Sequence, residues 1–201
     1  MNRPWSSHYA TLLKKNLQPA ATLVKALSFF QNESLLSQDK KAIDVGCGTG
    51  IDTFALLEDG WFVTAIDKEK DAIEQVDQKL AAEHKSYFNG LVSTFETMQI
   101  SPVLLINASF ALPFTYPNQF DAVWNKINNA VKKGGRFAGQ FFGLHDSWIN
   151  RTEMTFHSNE QIEQLFADFS IEFFHEVDED SQTLNGKQKH WHVYHIVARK
   201  L

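Results

Sequence analysis

The 201-residue chain has a single cysteine, Cys47, so no disulfide framework can form within it, and a reducing compartment is the simpler setting. No apolar run reaches the ~18 residues of a membrane span. The most apolar stretch, Ser101 to Phe114, is interrupted by Asn107 and Ser109. The start, Met1-Asn2-Arg3-Pro4-Trp5, lacks the apolar centre of a signal peptide. Basic clusters are missing too. The net charge is −5, and no basic run exceeds a pair such as Lys132-Lys133. A duplex-binding protein draws most of its affinity from neutralised phosphates, so nucleic acid is an unsuitable substrate. Internal repeats and low-complexity tracts are absent, which excludes disorder for most of the chain. What remains is a soluble, cytoplasmic, single-domain protein of 43% hydrophobic residues, large enough to fold without metal or disulfide.

The pattern along the chain alternates. Ser6 to Leu17 and Ala20 to Phe30 read as helices separated at Pro19, and residues 1–30 form a helical cap before a sheet core over 41–201. Strands are expected at Lys41 to Val45, Trp61 to Ile66, Leu91 to Phe95, Val103 to Asn107 and Arg136 to Phe142. Helices are expected at Ile51 to Leu57, Lys68 to Glu83 and Gln119 to Lys133, the last stopped by Gly134-Gly135. A further helix starts at Ser158 or Asn159 and runs to about Ala167. Ile171 to Val177 and Trp191 to Ala198 then form an antiparallel hairpin, with no helix between them. The expected fold is α/β: a doubly wound, mostly parallel sheet with helices on both faces and an antiparallel C-terminal hairpin.

The strongest motif is Ile43-Asp44-Val45-Gly46-Cys47-Gly48-Thr49-Gly50. Glycines at alternate positions turn the chain sharply from strand to helix and let a ligand approach the backbone. A dinucleotide fingerprint would place its third glycine at Ile51, which counts against a nicotinamide-dependent oxidoreductase. Asp67 ends the next strand, where a carboxylate can accept hydrogen bonds from both hydroxyls of a ribose.

With these residues the chain resembles the class I S-adenosylmethionine-dependent methyltransferases, and more narrowly their small-molecule, tellurite-resistance or thiopurine-like branch. The resemblance spans about Trp5 to Leu201 and is carried by Asp44 to Gly50, Thr64-Ala-Ile-Asp67, Thr94-Phe-Glu96, Leu105-Ile-Asn107 and Lys133-Gly-Gly-Arg136. It implies a Rossmann-like fold with S-adenosyl-L-methionine as cofactor. The amino-acid portion would lie on Asp44 and on Gly46, Cys47, Gly48, Thr49 and Gly50. The ribose would lie on Asp67, the adenine beside Phe95 and Glu96, and the methionine part beside Asn107. Cys47 serves there through its small size more than its thiol.

Methyl transfer from a sulfonium needs alignment and a dry pocket, and a base only if the acceptor arrives protonated. The loop Phe142-Gly-Leu-His-Asp-Ser-Trp-Ile149 offers His145 as base, Asp146 as its orienter and Trp148 as a wall for the acceptor. Alternatively, Asp146 or Ser147 caps a turn and Trp148 packs on the sheet edge. Trp5 and Tyr9, one helical turn apart, form a lid over the donor or pack against the sheet. The segment after Asn107 lacks the paired prolines of base-modifying enzymes. His190 and His192 share a strand face but lack a third ligand at telling spacing, while His195 faces the other way; no metal is expected. The acidic stretch Glu172 to Asp180 reads as a solvated strand end. The expected activity is methylation of a small molecule by in-line displacement; the alternative is a non-catalytic donor-binding sensor or partner subunit.

Overall fold

The computed structural model describes Trp5, Tyr9, residues 18–183 and residues 185–201. The helix expected over Ser6 to Leu17 lies outside the described residues apart from Tyr9. The described elements begin with α1 (Ala21–Phe30), β1 (Lys41–Val45), α2 (Ile51–Glu58), β2 (Phe62–Asp67), α3 (Lys70–Lys79) and β3 (Phe88–Val92). They continue with β4 (Val103–Ala108), α4 (Pro117–Ala130), β5 (Val131–Gly143), β6 (Phe156–His157), α5 (Asn159–Leu165), β7 (Phe169–Gln182) and β8 (Gln188–Lys200).

One sheet runs in the order β3-β2-β1-β4-β5-β8-β7, with the two-residue β6 beside β5. The first five strands are parallel, and β8 and β7 close the edge antiparallel. The expected mixed sheet is the one observed. Chain order reverses between β1 and β4, so the segments leaving their carboxyl ends diverge and open a crevice. The residues after Val45 and after Ala108 therefore flank the place where a ligand of such a sheet binds.

Alternation along the strands divides the core into two layers. Ile43, Ile106, Phe137 and Phe141 point to one face and pack under Phe120, Val123, Trp124 and Ile127 of α4 and Ile162 of α5. Ala42, Leu105, Ala138 and Val197 point to the other, under Leu23, Ala26, Leu27 and Phe30 of α1 and Leu56 and Leu57 of α2. Local chemistry sets the helix starts. Pro117 opens α4, where its missing N–H has no partner to lose. Ser158 and Gln161 cap each other reciprocally at the start of α5.

Several boundaries differ from the sequence reading. The helix expected to reach Glu83 ends at Lys79, where Leu80 turns extended, and a 3-10 helix follows over Ala82–Tyr87. Gly134-Gly135 do not stop α4, which ends at Ala130; they sit in a β5 irregularity opposite Leu104, where a Cβ on Gly135 would lie 2.6 Å from the Leu104 carbonyl oxygen. The third strand ends at Val92, three residues before Phe95. No helix among the described residues is long and apolar enough to cross a membrane.

Candidate active site

The glycine loop leaves β1 at the crevice. Gly46, Gly48 and Gly50 all have positive φ, at 74°, 51° and 83°. Only glycine adopts this backbone without strain. The turn is closed by Gly46 N and Cys47 N donating to the Ile66 carbonyl at 2.8 and 3.0 Å. Space matters as well as angle. A Cβ on Gly46 would lie 2.8 Å from the Ala111 Cβ and 3.3 Å from the Phe95 ring, and one on Gly48 would lie 3.0 Å from the Tyr9 ring. Cys47 is buried between these glycines; burial, with Asp44 and Asp67 adding, pushes its thiol pKa well up. It is therefore a neutral filler and not a nucleophile.

Asp67 is 2% exposed at the end of β2. Its Oδ2 accepts from Gly48 N at 2.9 Å and from the Tyr9 hydroxyl at 2.8 Å, and its Oδ1 accepts from Glu69 N at 2.9 Å. The acid is thus aimed at the loop, and Tyr9 covers both. Burial and the Asp67 carboxylate raise the Tyr9 pKa, so the phenol keeps its proton and acts as donor.

Below the loop lies a buried polar cluster. The Asn107 amide, fully buried, donates to Asp44 Oδ1 at 2.8 Å and to Asp52 Oδ2 at 2.9 Å. The Thr53 hydroxyl donates to Asp44 Oδ2 at 2.6 Å, and Ala20 N donates to Asp52 Oδ1 at 2.8 Å. Burial first and the Asp52 charge second push the Asp44 carboxyl up to about 7, against the hydrogen bonds from Thr53 and Asn107. The pair is a place where a cation is welcome.

The structure brings Asp44, Gly46, Cys47, Gly48, Gly50, Asp67 and Asn107 to the crevice, with Thr49 in the same turn and Phe95 beside Gly46. Phe95 and Glu96 stand in a turn beyond β3, not at its end as expected. Trp5 and Tyr9 lie together over this end of the sheet, their ring centroids 6.0 Å apart.

The loop after β5 follows the alternative reading, with Asp146 capping a turn and Trp148 packed, and not the catalytic one. Asp146 does not orient His145. It is fully buried and ion-paired with the buried Lys189 ammonium, and it accepts from Trp148 N at 2.9 Å and His192 N at 3.2 Å. Burial lowers the Lys189 pKa, an effect that Asp146 opposes. The Trp148 ring does not stand open as a wall: Lys189 and Arg151 each lie 4.4 Å from its centroid, and Trp191 packs on it at 5.7 Å. His145 turns its Nδ1 to Asp178 at 2.8 Å instead.

An aromatic wall that the sequence reading did not assemble runs beside the crevice. Trp5 meets Phe114 at 4.7 Å, Phe114 meets Phe142 at 6.2 Å, and Phe142 meets Phe110 at 6.3 Å. Phe110 meets His195 at 6.0 Å. Phe110 is the one non-glycine residue among those described with positive φ, 49°, and it is 43% exposed. The buried Gln140 fixes it there, accepting from Phe110 N at 2.9 Å and donating to the Thr22 hydroxyl at 2.9 Å. Strain of this kind on an exposed aromatic residue collects at functional sites. Asp52 was missed as well. Its sequence signal was an acid two residues after Gly50, in the first turn of α2.

Comparison with known proteins fits this geometry. Residues 42–135 match the family described as a methyltransferase domain. No curated protein matches the chain in sequence. TehB from Haemophilus influenzae superposes with a TM-score of 0.70 at 14% identity, over 89% of this chain and 62% of that one, so the chain spans less than two thirds of TehB. A methyltransferase from Methanosarcina mazei gives 0.66 at 18% identity over 92% and 99% of the two chains. The Burkholderia thailandensis 1,6-didemethyltoxoflavin-N1-methyltransferase gives 0.62 at 18% identity over 90% and 78%. Residues 42–135, which carry the glycine loop, Asp67 and Asn107, thus match a methyltransferase domain, and the chain shares its fold with solved methyltransferases.

Proposed function

We propose that the chain methylates a planar, aromatic small molecule at nitrogen or oxygen. The observation that carries this reading is the set of accessible rings Trp5, Phe114 and Phe110, joined through the buried Phe142 behind them, which begins at the pair covering Asp67 and ends at His195. Flat aromatic faces select flat partners through offset and edge-to-face contacts. The name of the Burkholderia neighbour, a 1,6-didemethyltoxoflavin-N1-methyltransferase, supports the same class.

The cofactor fits the residues present. S-adenosylmethionine supplies an electrophilic methyl group on a sulfonium. Gly46 and Gly48 leave room for its amino-acid portion, where a Cβ would crowd Ala111 and Tyr9. Asp44 and Asp52 offer buried carboxylates to its ammonium, and Asn107 bridges the two by giving each an N–H. Asp67 takes the ribose hydroxyls once the Tyr9 hydroxyl gives way, and Phe95 and Glu96 border the adenine. Held by these residues, the donor would present its methyl group to an acceptor resting on the rings of Phe110 and Phe114. The proton the acceptor sheds goes to His195, in place of His145. Burial, with His175 adding, holds the His195 pKa below its ordinary value, so its imidazole is neutral at pH 7 and ready to accept.

The test is a mass-spectrometric screen of methyl transfer to N-heteroaromatics, phenols, aliphatic amines and aliphatic acids. Turnover concentrated among the aromatic compounds supports the reading. Turnover confined to aliphatic acceptors overturns the aromatic assignment. Tight S-adenosylhomocysteine binding without any turnover supports a donor-binding protein that is not catalytic.

A further inference from the structure

We propose that His145, Asp178 and His192 form a binding site for a divalent transition-metal ion of the zinc type, which clamps the loop after β5 to the C-terminal hairpin. His190 and His192 alone offered no third ligand. The fold supplies it from two other segments: one ligand atom each from His145, Asp178 and His192 lies within 4.8 Å of the others. Asp178 and His192 are register partners across β7 and β8, and His145 reaches them from the loop beyond Gly143.

The donor set selects the ion. Two imidazoles and one carboxylate suit Zn²⁺, Ni²⁺ or Co²⁺, whereas Mg²⁺ and Ca²⁺ prefer all-oxygen shells. The residues behind the ligands are those that hold metal-binding side chains in place. His192 Nε2 lies 2.8 Å from Glu176 Oε1, so a proton there leaves Nδ1 with its lone pair. That lone pair accepts from His145 N at 3.0 Å, a hydrogen bond that metal binding has to displace as the His145 loop moves. The second oxygen of Asp178 lies 2.7 Å from His190 Nε2, and His190 Nδ1 lies 2.9 Å from Asp180. Charge favours a cation as well. Glu176, Asp178 and Asp180 are ion-paired only with histidines; no lysine or arginine among the described residues pairs with any of them.

The geometry also states what must move. A metal lies close to the plane of each imidazole that binds it, yet the His145 and His192 rings stack at 4.7 Å and 26°. His192 is 3% exposed and packed on Gly143, so it stays. The His145 side chain is 67% exposed and is the one free to turn in, bringing its loop with it.

Titration calorimetry of the tag-free chain with ZnCl₂, NiCl₂ and MgCl₂, together with absorption spectra of the Co²⁺ form, tests the site. We expect one equivalent of Zn²⁺ to bind saturably, no response to Mg²⁺, and Co²⁺ bands without a thiolate charge-transfer feature. His145→Ala and Asp178→Asn, both changes at surface positions, should each weaken Zn²⁺ binding by about tenfold or more. Absence of saturable Zn²⁺ and Co²⁺ binding overturns the proposal. Unchanged affinity in both variants, or a thiolate band that assigns the ion to Cys47, overturns it equally. The outcome is independent of the acceptor, because no methyl transfer is measured.

Discussion

Asn107 and Asp44 face each other on neighbouring parallel strands, and the Asn107 amide donates to the Asp44 carboxylate across 2.8 Å while reaching Asp52 with its other proton. One neutral side chain thereby keeps two buried acids side by side below the glycine loop. Burial first, and then the neighbouring Asp52 charge, disfavour the Asp44 carboxylate, which is why its proton is held to about pH 7. An amide can donate twice and carries no charge, so asparagine is suited to this position where aspartate or leucine is not.

The first prediction concerns pH. The Asp44 carboxyl titrates near 7 in the folded chain and at its ordinary value of 3.8 in the unfolded one. Between these values the folded state holds a proton that the unfolded state has lost, so this group favours folding most at low pH. Its contribution falls as pH rises from about 4 to 7. A bound ammonium reverses the preference for the protonated form. S-adenosylmethionine binding near pH 6 should therefore release up to about one proton, and binding at pH 8.5 should release none from this site. Calorimetry in buffers of different ionisation enthalpy measures that number, and Asp44→Asn should abolish the pH dependence.

The second concerns Asp67. Asp67→Ala should weaken S-adenosylhomocysteine binding by about ten- to hundredfold, because charged hydrogen bonds to the ribose are lost. Tyr9→Phe should act in the opposite direction. The Tyr9 hydroxyl occupies Asp67 Oδ2, and donor binding has to displace it. Removing one competing hydrogen bond should tighten binding by about two- to tenfold. Equal affinities in wild type and both variants, by calorimetry, would remove this pair from the site.

Much of the glycine-loop side of the crevice was legible because it is local. Asp44 to Gly50 and Asp67 are fixed by what a strand-to-helix turn and a strand end can do, and short motifs record that. Asn107 was legible through the order of the motifs. The aromatic side and the loop after β5 were not, because their parts are distant in sequence. Asp146 looked like a partner for His145 by adjacency, yet successive residues in a tight loop point apart, and Lys189 claimed the acid from 43 positions away. Phe110 carried no signal at all: its positive φ goes with a hydrogen bond from its N–H to Gln140, 30 residues on.

The third prediction tests the fate of Asp146. Lys189 is buried beside Trp191, Trp148 and Phe142, with its nitrogen 3.8, 4.4 and 5.3 Å from their ring centroids. Asp146→Asn leaves that ammonium without its counter-charge and should cost about 3–5 kcal/mol, read as a lower denaturant midpoint. Replacing both partners, Asp146→Leu with Lys189→Met, should recover most of the loss. A catalytic Asp146 would give the opposite result, with lost turnover at unchanged stability.

The fourth concerns the glycine loop. Gly48→Val should abolish donor binding in a chain that still folds. A β-branched residue resists φ 51°, and its Cβ would lie 3.0 Å from the Tyr9 ring. Circular dichroism should retain the native signal while S-adenosylhomocysteine no longer raises the melting temperature. Normal binding by this variant would reduce the loop to a turn.

The last prediction separates acceptor recognition from folding at Phe110. A non-glycine residue in the left-handed region carries about 1–2 kcal/mol of backbone strain. Phe110 bears that strain at φ 49° while 43% exposed, so burial returns only part of it. Phe110→Gly removes the strain and keeps the N–H that Gln140 accepts, at the expense of the edge contacts to Phe142 and His195. The melting temperature should accordingly stay level or rise by a few degrees. Donor affinity should not change, because Phe110 touches none of the acids under the loop. If the ring is the face on which a flat acceptor rests, KM for an aromatic acceptor should rise by about tenfold, a loss consistent with one aromatic contact of about 1.4 kcal/mol. Phe110→Tyr should restore it. A variant that loses stability and leaves KM unchanged would make Phe110 a packing residue and move the acceptor elsewhere on the crevice.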